Sequence, residues 1–349
     1  MLRVKEAVLK VKEYHPPLGG RAGMRLDFNE NTAGCSPRVL ARVRRLDLEE
    51  LAKYPEREPV ERQLAERFGV RTGQLLLTNG VDEAIHLLCQ AYLEAADEML
   101  LPEPTYAMYE IYAAGAGGKT IGVPAGPEFE FPAEALAARI GPRTRMLAIA
   151  SPNNPTGAVA EAGAVLELAK AAPQAAVLVD EAYFEFYGRT LLGEVGQVPN
   201  LFVARTFSKA YGLAGLRAGV LVGPAEQMQM LRRLASPYNV NAAALACLPE
   251  ALADQEYIAN YTAEVRRGRD RLQCELAALG FKFWPSQANF ILFLAGEKRL
   301  PLIEAMRRRG ILIRDRHRDP GCAGCVRITV GTGAQTEAAI EALRAAVNS

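Results

Sequence analysis

The sequence predicts an α/β fold: a mostly parallel central sheet flanked by helices, followed by a smaller α+β unit. Two observations predict it. Through the middle of the chain, short apolar runs alternate with longer helix-period patterns, the signature of βαβ units and a buried, largely parallel sheet. From about residue 245 that alternation stops and a long polar-faced helix opens a different pattern. Length agrees, because 349 residues suggest about two domains.

Taken in order, the first forty or so residues hold Gly and Pro clusters without a clear core period and are expected to lie against the other parts. Strand-like runs follow at 75–78, 99–101, 145–150, 176–180, 201–205 and 218–222. Between them the helix period recurs near 81–95, 105–115, 133–140, 160–172 and 224–235. The C-terminal pattern is a helix at roughly 254–279, strands at 281–284 and 289–294, a helix near 298–309, a strand at 326–330 and a last helix from about Gln335. These breaks divide the chain into an N-terminal segment, 1–44, packed with the small domain, a large domain, 45–245, and a small C-terminal domain, 246–349.

Composition narrows the function classes. Basic and acidic residues number 41 and 40, so the surplus of positive charge that a phosphate backbone calls for is missing and no nucleic-acid partner is expected. The basic run Arg307-Arg308-Arg309 closes a helix ahead of Gly310, where cations complement the helix dipole. No apolar run reaches the 18 residues of a membrane span, and the N-terminus lacks the apolar core of a signal peptide; the cytoplasm is the expected compartment. Six scattered cysteines fit a reducing environment. Cys322 and Cys325 form one C-x-x-C, but His15, His86 and His317 offer no second ligand pair, so no metal is expected. The run 326–330 followed by Gly331-Thr332-Gly333 imitates a dinucleotide turn, yet Thr336 stands where the third glycine belongs and the chain ends before another strand.

Four segments carry chemistry, each directly after a strand. In Val177-Leu178-Val179-Asp180-Glu181-Ala182-Tyr183 an apolar strand delivers an acid at the sheet edge where α/β folds place ligands; an N-cap would be the simpler use of Asp180. In the segment 205–217, Lys209 sits among small residues, which suits an amine that must lose its proton and attack a carbonyl. Arg217, eight residues on, offers a bidentate grip on phosphate. Ser151-Pro152-Asn153-Asn154-Pro155-Thr156-Gly157 is a rigid turn able to fix an Asn amide. Leu77-Thr78-Asn79-Gly80-Val81-Asp82-Glu83 ends a strand in a glycine that opens a helix, whose N–H groups attract an anion. Singly these are weak signals. Together a phosphate seat, an Asn, an acid, a nucleophilic Lys and an Arg are the set a pyridoxal-phosphate (PLP) ring requires.

The chain resembles the fold-type I, class I/II PLP-dependent aminotransferases, and within them the histidinol-phosphate aminotransferases. The likeness runs nearly end to end. It is carried by Asn29-Glu30-Asn31, Tyr54-Pro55-Glu56, Asn79-Gly80-Val81-Asp82-Glu83, Pro104-Thr105-Tyr106-Ala107-Met108-Tyr109 and the 151–157 turn. It continues through Asp180-Glu181-Ala182-Tyr183, Thr206-Phe207-Ser208-Lys209, Ala214-Gly215-Leu216-Arg217, Pro237-Tyr238-Asn239-Val240-Asn241, Ile313-Arg314-Asp315 and Cys325-Val326-Arg327-Ile328-Thr329-Val330-Gly331. One departure is Thr32, where the family usually has proline.

The resemblance implies roles. Lys209 is the Schiff-base lysine and proton carrier, and Asp180 pairs with the protonated pyridine nitrogen. Asn154 and Tyr183 hydrogen-bond the ring's phenolic oxygen, and Tyr106 stacks on the ring. The backbone at Val81 and Asp82, with Ser208 and Arg217, holds the 5′-phosphate, and Tyr54 reaches it from the partner subunit of a homodimer. Arg327 binds the substrate's anionic end, while Tyr14 and Arg314 line the substrate-phosphate pocket. The implied reaction takes an amino donor and 2-oxoglutarate by ping-pong kinetics, with histidinol phosphate as donor. An aromatic amino acid as donor, or decarboxylation of threonine phosphate, needs the same ring-binding groups. A PLP-binding regulator would lack the lysine or add a DNA-binding module, and this chain does neither.

Overall fold

The structure, a computed structural model, describes residues 2, 4–11, 13, 15, 20 and 22–347. The strands in chain order are β1 (Met24–Arg25), β2 (Leu75–Thr78), β3 (Glu98–Glu103), β4 (Lys119–Pro124), β5 (Thr144–Ala150), β6 (Ala176–Asp180), β7 (Leu201–Thr206), β8 (Gly219–Val222), β9 (Lys282–Phe283), β10 (Phe290–Leu294), β11 (Ile311–Leu312), β12 (Arg314–Asp315) and β13 (Cys325–Thr329). A seven-stranded sheet has the order β2-β8-β7-β6-β5-β3-β4, and only β8 runs antiparallel to its neighbours. The expected fold class is therefore the observed one.

The period-2 alternation of the strands sorts their side chains onto two faces. Leu75, Leu77, Leu147, Ile149, Val177, Val179, Val203 and Val220 pack on one side with Leu64, Val165 and Leu168 from the helices Glu58–Phe68 and Ala162–Ala171. Leu76, Met146, Ala148, Leu178, Phe202 and Leu221 pack on the other with Ile85, Leu88, Tyr109 and Met228 from the helices Gly80–Tyr92, Met108–Ala116 and Ala225–Arg232. Both faces are dry, and each fully buried Val, Leu or Ile contributes about 1.5–3 kcal/mol, which fixes the strand ends to which the site is attached.

The C-terminal part folds as the expected α+β pattern. An antiparallel sheet β12-β13-β10-β9 packs with the helices Gln255–Ala278, Arg299–Arg308 and Gly333–Val347. β1 pairs in parallel with β11, so the N-terminal segment joins that part of the structure by backbone hydrogen bonds.

Three features went unread in the sequence. β4 is an edge strand whose residues, KTIGVP, include Gly and Pro and are mostly not buried, so it lacks the apolar run of its neighbours. The helices Pro37–Val43, Glu58–Phe68 and Ala242–Ala253 lie in stretches without a read helix period. β8 reverses direction because the connection 207–218 carries only the short 3-10 turn Ala214–Leu216 and no crossover helix, which a parallel return would need. That reversal brings Ser208, Lys209 and Arg217, all in one connection, to the same edge of the sheet.

Candidate active site

At the C-terminal edge of β5, β6 and β7 lies a cavity of about 300 Å³. Val81, Asp82, Tyr106, Asn154, Asp180, Tyr183, Ser208, Lys209, Arg217, Arg314 and Arg327 all line it, which brings together most of the sequence-predicted site. Tyr54 is not among the lining residues: it is 78% exposed and its ring stacks on Tyr238 at 4.2 Å. Tyr14 lies outside the described residues.

Asp180 ends β6 and is buried. Its Oδ2 accepts a hydrogen bond from the Tyr109 hydroxyl at 2.7 Å and its Oδ1 accepts from the Ala182 N–H at 3.0 Å. Burial pushes its pKa up to about 6, against the pull of those two donors. The neighbouring Glu181 turns away into an ion pair with Arg205 at 2.8 Å and takes no part in the cavity. An ionised carboxylate held dry in this way is stabilised by a cation opposite it.

Lys209 lines the same cavity. Its Nζ donates to the Phe28 carbonyl at 3.1 Å. Burial first, and then the charge of Arg327, lower its pKa to about 8, so much of it is the neutral amine at mildly alkaline pH.

The helix Gly80–Tyr92 presents its first turn to the cavity through Val81 and Asp82. Gly80 adopts φ +73°, and a Cβ there would come within 2.5 Å of the Arg217 guanidinium. Glycine thus clears the approach of that side chain to the helix N-terminus, while Arg217 itself is left-handed at φ 54°. Arg217 Nη2 bonds Asp82 Oδ2 at 3.0 Å, and the Tyr106 hydroxyl donates to Asp82 Oδ1 at 3.0 Å. Unpaired helix N–H groups, a guanidinium and the Ser208 hydroxyl together form a seat for a phosphate.

A strap of residues 26–31 crosses the site. The Asp27 carbonyl accepts from Arg327 Nη2 at 2.6 Å, and the Asn29 carbonyl accepts from Asn289 at 3.1 Å. Asn29, left-handed at φ 56°, donates from Nδ2 to the Tyr183 hydroxyl at 2.9 Å. Arg327 is 3% exposed, and its Nη1 donates to Asn154 Oδ1, which leaves the Asn154 NH₂ as that side chain's donor group. Burial, then the nearby Arg316, press the Arg327 pKa down to about 9; a guanidinium keeps its proton at neutral pH even so. Arg314 pairs directly across the strands with Arg327 and lies over the Phe28 ring at 5.3 Å.

Sequence reasoning did not single out Tyr109, Asn29 or Arg316, all of which line this cavity. The first two sit inside motifs that carry the family resemblance, but their partners Asp180 and Tyr183 are 71 and 154 residues away.

The donor set fits PLP: an anion seat at a helix N-terminus, a buried acid for a cationic ring nitrogen, an amine for the carbonyl end, and Asn and Tyr groups between. Among the described residues, no group of three or more His, Cys, Asp or Glu side chains is placed to hold a metal, and no helix is long and apolar enough to cross a membrane.

A family model for class I and II aminotransferases matches residues 21–343. The histidinol-phosphate aminotransferase of Symbiobacterium thermophilum is 37% identical over 365 aligned positions that cover 99% of each chain. Histidinol-phosphate aminotransferase 2 of Methylococcus capsulatus is 37% identical over 334 positions, 92% of this chain and 89% of that one. Among solved structures, histidinol-phosphate aminotransferase from Sinorhizobium meliloti in complex with pyridoxal-5′-phosphate superposes with a TM-score of 0.89 at 26% identity, covering 100% of this chain and 98% of that one.

Proposed function

The chain belongs to the class I and II aminotransferases, and from that premise we propose that this PLP-dependent aminotransferase moves the amino group of histidinol phosphate to 2-oxoglutarate, as a cytoplasmic homodimer serving histidine biosynthesis. The observation that carries the donor assignment is the pairing of Arg314 opposite Arg327 on β12 and β13, both lining the cavity that holds Lys209. Histidinol phosphate has no α-carboxylate, so its phosphate is the anionic handle, and a dianion between two guanidiniums gains charge-assisted hydrogen bonds. The two relatives at 37% identity carry the name of that reaction, which supports the same reading.

When bound, PLP supplies an electron sink for the pair left as a Cα proton departs. The protein's residues divide the remaining work. The N–H groups at Val81 and Asp82, the Ser208 hydroxyl and Arg217 hold the phosphate, joined by Tyr54 of the second subunit. Asp180 keeps a proton on the ring nitrogen by presenting a buried negative charge to it. Asn154 and Tyr183 hold the phenolic oxygen, and Tyr106 covers one face. Lys209 would be the covalent attachment point, and its Nζ, with a pKa lowered to about 8 by burial, would take the Cα proton and hand it on. With a single site serving the amino donor and the oxo acid in turn, the kinetics would be ping-pong.

The test is a panel of amino donors with 2-oxoglutarate, read by glutamate release, alongside threonine phosphate read by CO₂ release. Histidinol phosphate should give the highest kcat/KM. A higher value for phenylalanine, or CO₂ from threonine phosphate, replaces this assignment with the corresponding rival.

A further inference from the structure

Arg316 occupies a place in the site that none of the roles above uses. Residues two apart on a strand share a face, so Arg316 continues the face of Arg314, and its N–H extends the ladder past the end of β12 by donating to the Cys325 carbonyl at 3.1 Å. Arg314 stands opposite Arg327. Three guanidiniums thus converge on one face, and all three line the cavity. Like charges set directly opposite each other across strands are destabilising; the Asp319 carboxylate offsets part of this charge, and an anion in the cavity offsets more.

Arg316 is also fixed in place. Its guanidinium is ion-paired with the Asp319 carboxylate, the two side chains being 12% and 22% exposed. The Asp319 N–H returns to the Arg316 carbonyl at 3.0 Å and closes a turn under the pair. The Nε atoms of Arg316 and Arg327 are buried and have no acceptor within the protein, so the Nη groups are what each guanidinium presents to the cavity.

We propose that Arg316, held by Asp319, is the third arm of an anion clamp with Arg314 and Arg327, and that this arm makes the site select a phosphate monoester over a carboxylate. The inference rests on the reading of the site given above and deepens it. A carboxylate presents two oxygens and one charge, which a single bidentate arginine satisfies. A phosphate monoester presents three terminal oxygens and close to two charges, and three guanidiniums match that number. Asp319 acts as a positioning residue: it orients Arg316 and does not itself touch the anion.

Calorimetric titration of the PLP-loaded enzyme with propyl phosphate and with butyrate tests this without assuming any amino donor. The wild type should bind propyl phosphate more tightly than butyrate. Arg316→Gln should weaken propyl phosphate about tenfold to a hundredfold and butyrate less than about threefold. Arg316→Lys, which restores a point charge without the planar fork, should fall between, and Asp319→Asn should shift the preference in the same direction by a smaller factor. Equal losses for both ligands would mean that Arg316 is a structural residue, and undetectable or Arg316-independent binding of propyl phosphate overturns the clamp as well. If histidinol phosphate fails as a donor while propyl phosphate binding still depends on Arg316, the donor assignment falls and the clamp stands.

Discussion

The Tyr109 hydroxyl lies 2.7 Å from Asp180 Oδ2, and both side chains are buried in the wall of the cavity. The bond favours the ionised carboxylate and opposes the desolvation that pushes Asp180 up to about 6. Tyr109→Phe removes a donor without changing the ring. The Asp180 pKa should then rise further, and the acidic limb of the kcat profile should move to higher pH, with kcat down about tenfold at neutrality. A profile that superposes on the wild type means that Tyr109 only fills space.

Asp180 also makes a prediction about stability in the PLP-free protein. Its folded pKa of about 6 lies above its ordinary 3.8, so the folded state binds the proton more tightly than the unfolded chain does. Stability is therefore lost as pH rises from about 4 through 6, and above that the buried charge costs up to roughly 3 kcal/mol. Asp180→Asn without cofactor should melt at a higher temperature than the wild type at pH 7–8, the gap closing toward pH 4. The same variant, loaded with PLP, should lose most activity, because an amide cannot hold a cationic ring nitrogen.

Lys209→Ala should abolish turnover while PLP still binds without a covalent link. Borohydride reduction of the wild type followed by peptide mapping should label Lys209. Lys170, in an exposed ion pair with Glu167, and Lys119, exposed at the start of β4, should stay unlabelled. Modification on either of them in place of Lys209 removes the assignment.

Much of this was legible in the sequence because the site is built from strand ends. A continuous apolar run that stops at Asp180, and another that stops before Ser208-Lys209, place those side chains at the sheet edge by periodicity alone. What stayed hidden depends on tertiary contacts. The Tyr109–Asp180 bond spans 71 residues, and the Asn29–Tyr183 bond spans 154. Arg316 reads as one more charge in a polar loop until β12 pairs with β13 and turns it toward Arg327. The direction of β8 follows from the missing helix in its connection, which apolar patterning does not encode.

Tyr54 should complete the site of a second subunit. It projects into solvent, stacked on Tyr238, well outside its own chain's cavity lining. Leu40, Val43, Leu48 and Leu51 are also exposed in the stretch that precedes it, an apolar surface of the kind that marks a protein interface. Mixing Lys209→Ala with Tyr54→Phe subunits should give hybrid dimers with one intact site and activity above either parent. No gain, once subunit exchange is verified by mass, places Tyr54 in its own subunit's site or outside any site.

Arg314 separates the phosphate reading of the substrate pocket from the carboxylate one. It is half-buried beside the Phe28 ring and directly across the strands from Arg327, and two guanidiniums lining one cavity can share a dianion. Each charge-assisted hydrogen bond to the phosphate is worth roughly 1.5–3 kcal/mol, so Arg314→Ala should lower kcat/KM for histidinol phosphate between about tenfold and a hundredfold. Phenylalanine has no phosphate to lose, and its carboxylate can be held by Arg327 alone. The loss with phenylalanine should therefore be several-fold smaller. Measuring both donors on wild type and variant separates the possibilities, because a general disturbance of the strand pair would lower the two rates together. If phenylalanine is the better wild-type donor and Arg314→Ala alters neither rate, Arg314 is a solvated charge and the aromatic aminotransferase reading replaces the phosphate one.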